Sequence, residues 1–318
     1  MRNAVLGVIW SSFQAGDALL APALGVPSRR CARSRTSRQA VSSVTPETSM
    51  TCPVLGDLSP IGQDSSDSFV ASMGVPTYAA SGIAPMDDHD ETIVRHELTP
   101  IPGAFWLENF LAKDVCAQMI TTCEELGFGI FNSGKNHHGA LQVVVESAEG
   151  LAERARPFID LEVVESIREE MMPGSSSGSP LRMVGWNRRW RIYRYEAGGQ
   201  QQFKPHIDAG FPPSGIVNNQ LVWDLSDGTV VSRLTVLLYL NGDFVGGETN
   251  FYAPRSENEL LASMTPRAGS CLIFPQGVGE EAVEYARQNW PLHEGSPVID
   301  GSPKYVIRSD VLFTEEEG

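Results

Sequence analysis

The spacing of apolar residues along this chain changes period once. From Ala112 to Leu126, Val115, Met119, Ile120 and Cys123 recur at helical spacing, and Gly127 and Gly129 end the run. Two shorter helices are predicted near Ala148–Ala155 and Val163–Met171, and the Gly-, Ser- and Pro-rich stretch 172–180 reads as a loop. After Arg182 the pattern shortens into runs rich in β-branched and aromatic residues. These are Trp190–Tyr195, Phe203–Ile207, Val230–Asn241, Glu248–Tyr252, Ser270–Phe274, Pro291–Glu294 and Lys304–Phe313. Turn residues divide them, as in Asn241-Gly242-Asp243 and Gly246-Gly247. Short strands at this density, without alternating helices, predict a mainly β fold with flanking helices (α+β). A sandwich or jelly roll with the upstream helices on one face fits best.

Before His96 the apolar pattern thins. Ser, Thr, Pro, Gly and Asp dominate from Ser42 to about Glu91, which predicts a linker with little surface to bury. The predicted organisation is a presequence over 1–45, a low-complexity linker over 46–95 and one domain over 96–315. Within that domain, 96–182 supplies helical support and 183–315 the jelly-roll core. Pro100–Trp106 reads as its entry strand.

Charge adds two restrictions. The chain carries a net −15, with no basic stripe to neutralise phosphates, so nucleic acid is not an expected partner. Residues 1–50 are the exception, with six Arg against Asp17 and Glu47. This Arg-, Ser- and Ala-rich start is the pattern of a targeting presequence, and an organelle (plastid or mitochondrion) is the expected destination, with the cytoplasm otherwise. No stretch reaches the length of a membrane span. The five cysteines (31, 52, 116, 123 and 271) form no C-x-x-C pair; Cys116 and Cys123 share a helix face and read as buried thiols.

Candidate chemistry centres on Asn187–Phe211. His206 and Asp208 lie two apart on a predicted strand, so both side chains point to one side. Two imidazoles and one carboxylate on one face of an octahedron are the donor set of a non-haem Fe(II) site. A third ligand has to come from a distant histidine: His89, His96, His137, His138 or His293. His293, in a strand-like segment downstream, is preferred, since His89 and His96 come early and His137-His138 read as part of a polar loop with Lys135. Of the basic residues Arg188, Arg189, Arg191 and Arg194, alternation sends some to each face, and at most one is expected to reach a pocket.

Four ordered motifs carry a family resemblance. They are Tyr195–Asp208, Ser232–Asn241, Gly246–Phe251, and His293–Val298 followed by Lys304-Tyr305. Over roughly Pro100 to Phe313 the chain resembles the prolyl 4-hydroxylase-like branch of the 2-oxoglutarate/Fe(II)-dependent dioxygenases. The resemblance implies a double-stranded β-helix, with His206, Asp208 and His293 as Fe(II) ligands. It implies 2-oxoglutarate as cosubstrate, with Lys304 near the position of the residue that pairs with its distal carboxylate and Tyr195 and Thr235 assisting. Oxygen, a hydroxylated product and ascorbate as reductant follow from the same likeness. On the residues alone, Arg308 is the other candidate clamp, because four residues along a strand brings it to the same side as Lys304 and its fork suits a carboxylate. Asp310 stands where the collagen-type enzymes have Trp, which weighs against peptidyl proline as substrate. The segment 211–229 is a candidate lid. A cupin-like metalloenzyme of non-oxidative chemistry and a non-catalytic binding module are the competing readings.

Overall fold

The computed structural model describes residues 50–61, 75–83, 91–132, 136–171, 179–277 and 289–316. All of them fall in one compact unit, Thr45–Gly318. The predicted presequence over 1–45 lies outside the described residues, as does most of the loop at 172–180.

The chain opens with β1 (Met50–Cys52), β2 (Gly56–Pro60), β3 (Thr77–Ala80), β4 (Val94–Glu97) and β5 (Phe105–Glu108). Helix α1 (Lys113–Leu126) follows, stopped by Gly127 at φ +81°. Next come β6 (Gly129–Asn132), β7 (His137–Val145), α2 (Glu149–Ala155) and α3 (Leu161–Met171). The remainder is strand: β8 (Leu181–Trp186), β9 (Arg189–Tyr195), β10 (Phe203–His206), β11 (Gly215–Val217), β12 (Gln220–Val222), β13 (Val230–Tyr239) and β14 (Phe244–Gly246). The last are β15 (Thr249–Tyr252), β16 (Leu260–Met264), β17 (Cys271–Pro275), β18 (Leu292–Gly295), β19 (Val298–Gly301) and β20 (Lys304–Glu315). Among the described residues no helix is long and apolar enough to cross a membrane.

Eight of these strands make the jelly roll. One sheet runs β9-β20-β13-β17 and the other β10-β18-β15-β16. The chain thus winds between the two sheets as a double-stranded β-helix. The first sheet is extended past β17 by β5 and β4, and past β9 by β7, β3, β2 and β1.

Strand alternation sorts the buried side chains into two cores. On the outer face of the large sheet, Trp190, Ile192, Leu234, Val236, Leu238, Tyr305, Ile307, Val311 and Phe313 pack with Cys116, Met119 and Cys123 of α1 and Leu151, Ala152 and Ala155 of α2. On the inner face, Tyr195, Tyr239, Leu272, Phe274 and Val306 meet Phe251, Met264 and Val298. Lys304, Arg308 and Asp310 share the phase of Val306, so β20 turns charge into the barrel.

Three expectations need correction. The segment read as a linker, 46–95, contains β1, β2, β3 and the first half of β4. Its scattered apolar residues Cys52, Val54, Leu55, Leu58, Tyr78 and Ala80 are buried against the helix-facing core. Each strand needs only one apolar face, so average composition understated them. Second, His137 and His138 sit on β7, not in a loop: the apolar run Ala140–Val145 extends back through them, and His138 is fully buried. Third, the entry strand begins at Phe105, because residues 98–104 form a turn whose Leu98 N–H bonds the Ala104 carbonyl at 3.0 Å.

Candidate metal centre and the charged barrel interior

His206 ends β10, and its partner across the β10–β18 ladder is His293. Asp208 follows two residues later, where its backbone carbonyl accepts from Gly277 N–H at 2.8 Å. One donor atom from each of the three lies within 4.8 Å of the others. Nε2 of His206 is 3.5 Å from Asp208 Oδ1, and Nε2 of His293 is 3.4 Å from Asp208 Oδ2. Nδ1 of His206 faces the Lys204 carbonyl at 2.7 Å. A carbonyl only accepts, so Nδ1 carries the proton and Nε2 is left as a ligand.

Protonation favours the same use. Burial, reinforced by His206, pushes His293 down to about 4, so its imidazole is neutral. Burial alone would raise Asp208, but the Arg308 guanidinium and then His293 hold it well below the usual carboxylate range. A neutral imidazole at His293 and an ionised carboxylate at Asp208 are donors that a divalent iron accepts.

The carboxylate is oriented from behind. Thr235 Oγ1 donates to Asp208 Oδ2 at 2.8 Å, Gln276 Nε2 donates to Thr235 Oγ1 at 3.0 Å, and Ser232 Oγ donates to Gln276 Oε1. Thr235 therefore serves the metal carboxylate, and its hydroxyl is not directed to the Lys304 end where the cosubstrate was expected. The Phe274 ring meets His293 edge-on at 4.6 Å and walls this side with carbon.

Lys304 and Arg308 both face inward but at different stations. Four residues of strand separate them, about 13 Å. Lys304 Nζ lies 5.5 Å from the Tyr195 ring and 5.4 Å from that of Tyr239, and donates to the Gly247 carbonyl at 2.6 Å. Gly246 and Gly247 (φ +80° and +72°) form the turn that presents this carbonyl. Burial pushes Lys304 down to about 7, with Glu248 opposing. Arg308 instead sits at the metal end, with Nη2 2.8 Å from Asp208 Oδ1 and 3.7 Å from Asp310 Oδ1.

Several residues went unremarked in the sequence. Tyr239, in phase with Thr235 on β13, flanks Lys304 and shares a hydrogen bond with Thr249 at 2.7 Å. Gln276, just past β17, had no sequence signal. Arg191 and Arg189 both lie on the buried inner phase of β9, where at most one arginine was expected. Arg191 pairs with Asp310 at 2.9 Å, and Arg189 lies over the Trp223 ring at 4.2 Å. Arg194 pairs with Glu124 and Glu196 outside the barrel. His138 does not reach the site mouth: it stacks between Phe131, Tyr193 and Tyr195, and burial drives it down to about 3. His96 stacks on Trp106, away from the triad's strands.

Residues 190–309 match the family model described as the 2OG-Fe(II) oxygenase superfamily. The match runs from β9 into β20, so it contains the three donors, Lys304 and Arg308. No curated protein matches the chain. Among solved structures, a viral collagen prolyl hydroxylase from Paramecium Bursaria Chlorella virus-1 is similar at 16% identity, covering 67% of this chain and 97% of that one, with a TM-score of 0.35. A prolyl hydroxylase from Trichoplax adhaerens is similar at 19% identity over 66% of this chain and 83% of that one, TM-score 0.37. An oxidoreductase of the 2OG-Fe(II) oxygenase family from Burkholderia pseudomallei is similar at 11% identity over 68% and 87%, TM-score 0.36. The jelly-roll segment that builds this metal centre is thus the part of the chain that matches the 2OG-Fe(II) oxygenase superfamily.

Proposed function

We propose that the protein couples oxidative decarboxylation of 2-oxoglutarate to hydroxylation of a C–H bond. In balance, 2-oxoglutarate, oxygen and R–H give succinate, carbon dioxide and R–OH. The observation that carries the reading is the pairing of a three-donor centre with a separate buried cation on one inward row.

His206, Asp208 and His293 hold Fe(II), which when bound supplies the oxygen chemistry. Thr235 and Gln276 keep the Asp208 carboxylate in register with the two imidazoles. Lys304 receives the distal carboxylate of 2-oxoglutarate, and Tyr195 and Tyr239 wall it from water, where a charge pair is strong. The pairing also restores the full charge on Lys304 that burial suppresses. Phe251 and Phe274 keep the imidazole side dry. Ascorbate fits as the reductant that keeps iron ferrous between turnovers, and the Arg- and Ser-rich start fits delivery to an organelle. A jelly-roll enzyme of non-oxidative chemistry would have no use for a buried lysine in this row, and a non-catalytic module no need of three intact donors.

The test is reconstitution with Fe(II), 2-oxoglutarate and ascorbate, following succinate. Turnover that disappears in Asp208→Ala supports the reading. Absence of both iron binding and 2-oxoglutarate binding by the wild-type protein would sink it.

A further inference from the structure

Asp310 has no part in the reaction proposed above, yet it lies fully buried inside the barrel beside the metal carboxylate. A carboxylate buried this deeply is costly unless its oxygens are matched. On β20 it is the next inward residue after Arg308, and Thr235 of β13 is its direct cross-strand partner. Gln276 Nε2 donates to Asp310 Oδ1 at 3.3 Å and to Thr235 Oγ1 at 3.0 Å. Thr235 Oγ1 in turn donates to Asp208 Oδ2 at 2.8 Å. Arg308 Nη2 lies 3.7 Å from the same Asp310 oxygen and 2.8 Å from Asp208 Oδ1. These contacts close a ring that runs from Asp208 through Thr235, Gln276, Asp310 and Arg308 back to Asp208. The other Asp310 oxygen, Oδ2, accepts from Arg191 at 2.9 Å.

The ring meets Asp208 at both oxygens. A hydroxyl holds one and a guanidinium the other, so rotation of the carboxylate is opposed from both sides. Arg308 is the member that a metal disturbs. A dication and a guanidinium repel each other, and part of the Asp208 charge that attracts Arg308 is answered by the ion once it binds. Asp310 is the second anion that keeps Arg308 in place. It also fixes the direction of the Gln276 amide, which supports Thr235 and is held on its oxygen by Ser232. The crevice between Asp310, Arg191 and Phe211 is too narrow for a water molecule, so solvent cannot take over these contacts.

We infer that Asp310 is a positioning residue for the metal centre, fixing both oxygens of Asp208 through Arg308 on one side and through Gln276 and Thr235 on the other, without being a donor itself. This rests on the metal-centre reading above and adds a residue to it. The competing role for Asp310 is plain charge balance, as a counter-ion for Arg191 and Arg308 with no consequence for the metal. The two roles differ in what the loss of a matched pair of charges does. Neutralising Asp310 and Arg191 together leaves the net charge of the interior unchanged. That replaces the work of a counter-ion, but it leaves the ring open.

Mn(II) titrated into the full chain, with the free ion followed by electron paramagnetic resonance, gives metal affinity. The visible absorption of the Co(II)-loaded protein reports the geometry of the donors. Asp310→Asn keeps the shape of the side chain and removes its charge. A fall of about 10–100-fold in Mn(II) affinity is expected, as for other residues that orient a ligand, together with a changed Co(II) spectrum. Arg191→Gln leaves the ring closed and should bind Mn(II) as the wild type does. The double variant Arg191→Gln/Asp310→Asn should bind as weakly as Asp310→Asn, while its melting temperature returns toward that of the wild type. Wild-type affinity in Asp310→Asn, an equal loss in Arg191→Gln, or recovery of affinity in the double variant overturns the inference, the last because it makes Asp310 a counter-ion. A wild-type protein that binds neither Mn(II) nor Co(II) defeats the metal-centre reading itself, whereas wild-type binding with an unchanged Asp310→Asn defeats only this inference. Circular dichroism identifies an Asp310→Asn variant that fails to fold. The double variant then carries the comparison against Arg191→Gln: weaker metal binding supports the inference and equal binding overturns it.

Discussion

The two faces of β20 are equally buried and have opposite chemistry. Tyr305, Ile307, Val311 and Phe313 point outward into the helix-facing core and are held by area and packing, with one hydrogen bond from the Tyr305 hydroxyl to Glu124 at 2.7 Å. Lys304, Arg308 and Asp310 point inward at 2%, 8% and 1% exposure, into a space where each charge needs a partner. Burial therefore does not separate scaffold from site on this strand. What separates them is that buried charge on the inner face has to be matched group by group, as Asp208 matches Arg308 and Asp310 matches Arg191.

The comparison breaks most completely at Asp208. Asp208→Ala should abolish metal binding, read as metal content after gel filtration, and with it succinate formation. It should also leave Arg308 buried without its nearest partner, which costs about 3–5 kcal/mol in a denaturant melt of the metal-free protein. On the opposite face, Ile307→Ala should cost about 2–5 kcal/mol through a cavity. Metal and 2-oxoglutarate affinity in that variant should be unchanged in a direct binding titration. Loss of affinity there would show that the two faces are not independent.

Thr235→Val sharpens the inner face alone. It removes the hydroxyl that orients Asp208 Oδ2, and a fall of about 10–100-fold in metal affinity is expected, as for other residues that orient a ligand. Serine at 235 should recover most of it, which a merely space-filling methyl would not.

The inner face also predicts a pH dependence, which is gradual where the substitutions are abrupt. Lys304 is held at about 7 in the folded protein, against 10.5 for a free lysine. Between those values the unfolded chain binds the extra proton, so stability of the metal-free protein should rise with pH, by up to ~1.4 kcal/mol per unit. The gain should be absent below about 7 and absent in Lys304→Met. Affinity for 2-oxoglutarate should move the other way, weakening as pH rises through 7, because the distal carboxylate needs the ammonium. Melts and binding titrations at matched pH test both signs.

How far this was legible in the sequence depends on the range of the interaction. Helix α1 emerges within a residue of its predicted start because its apolar spacing and Gly127 are local signals. Lys304 and Arg308 share a side because alternation is a property of one strand, whereas β10 ends at His206 and Asp208 reaches the same centre from the residues just past it. β1, β2 and β3 escaped notice because strands of three to five residues with one buried face leave little trace in composition. His138 escaped for a related reason: a polar residue at the start of an apolar run reads as a loop end until aromatic neighbours from β6 and β9 enclose it.

By itself the sequence determined the donor types, their order, the period of each element and the inward phase of β20. Those follow from side-chain chemistry and from backbone geometry that repeats every two or 3.6 residues. Only the tertiary structure decided that His293 would face His206 across a ladder, that Thr235 would reach Asp208, and that Arg308 would stand at the metal while Lys304 stands apart. Each of these depends on which strands become neighbours and in what register, and strand pairing is settled by the packing of the whole barrel. The side-by-side placement of Arg191 and Arg308 belongs to that second class, since it exists only because β9 and β20 are neighbours in this register.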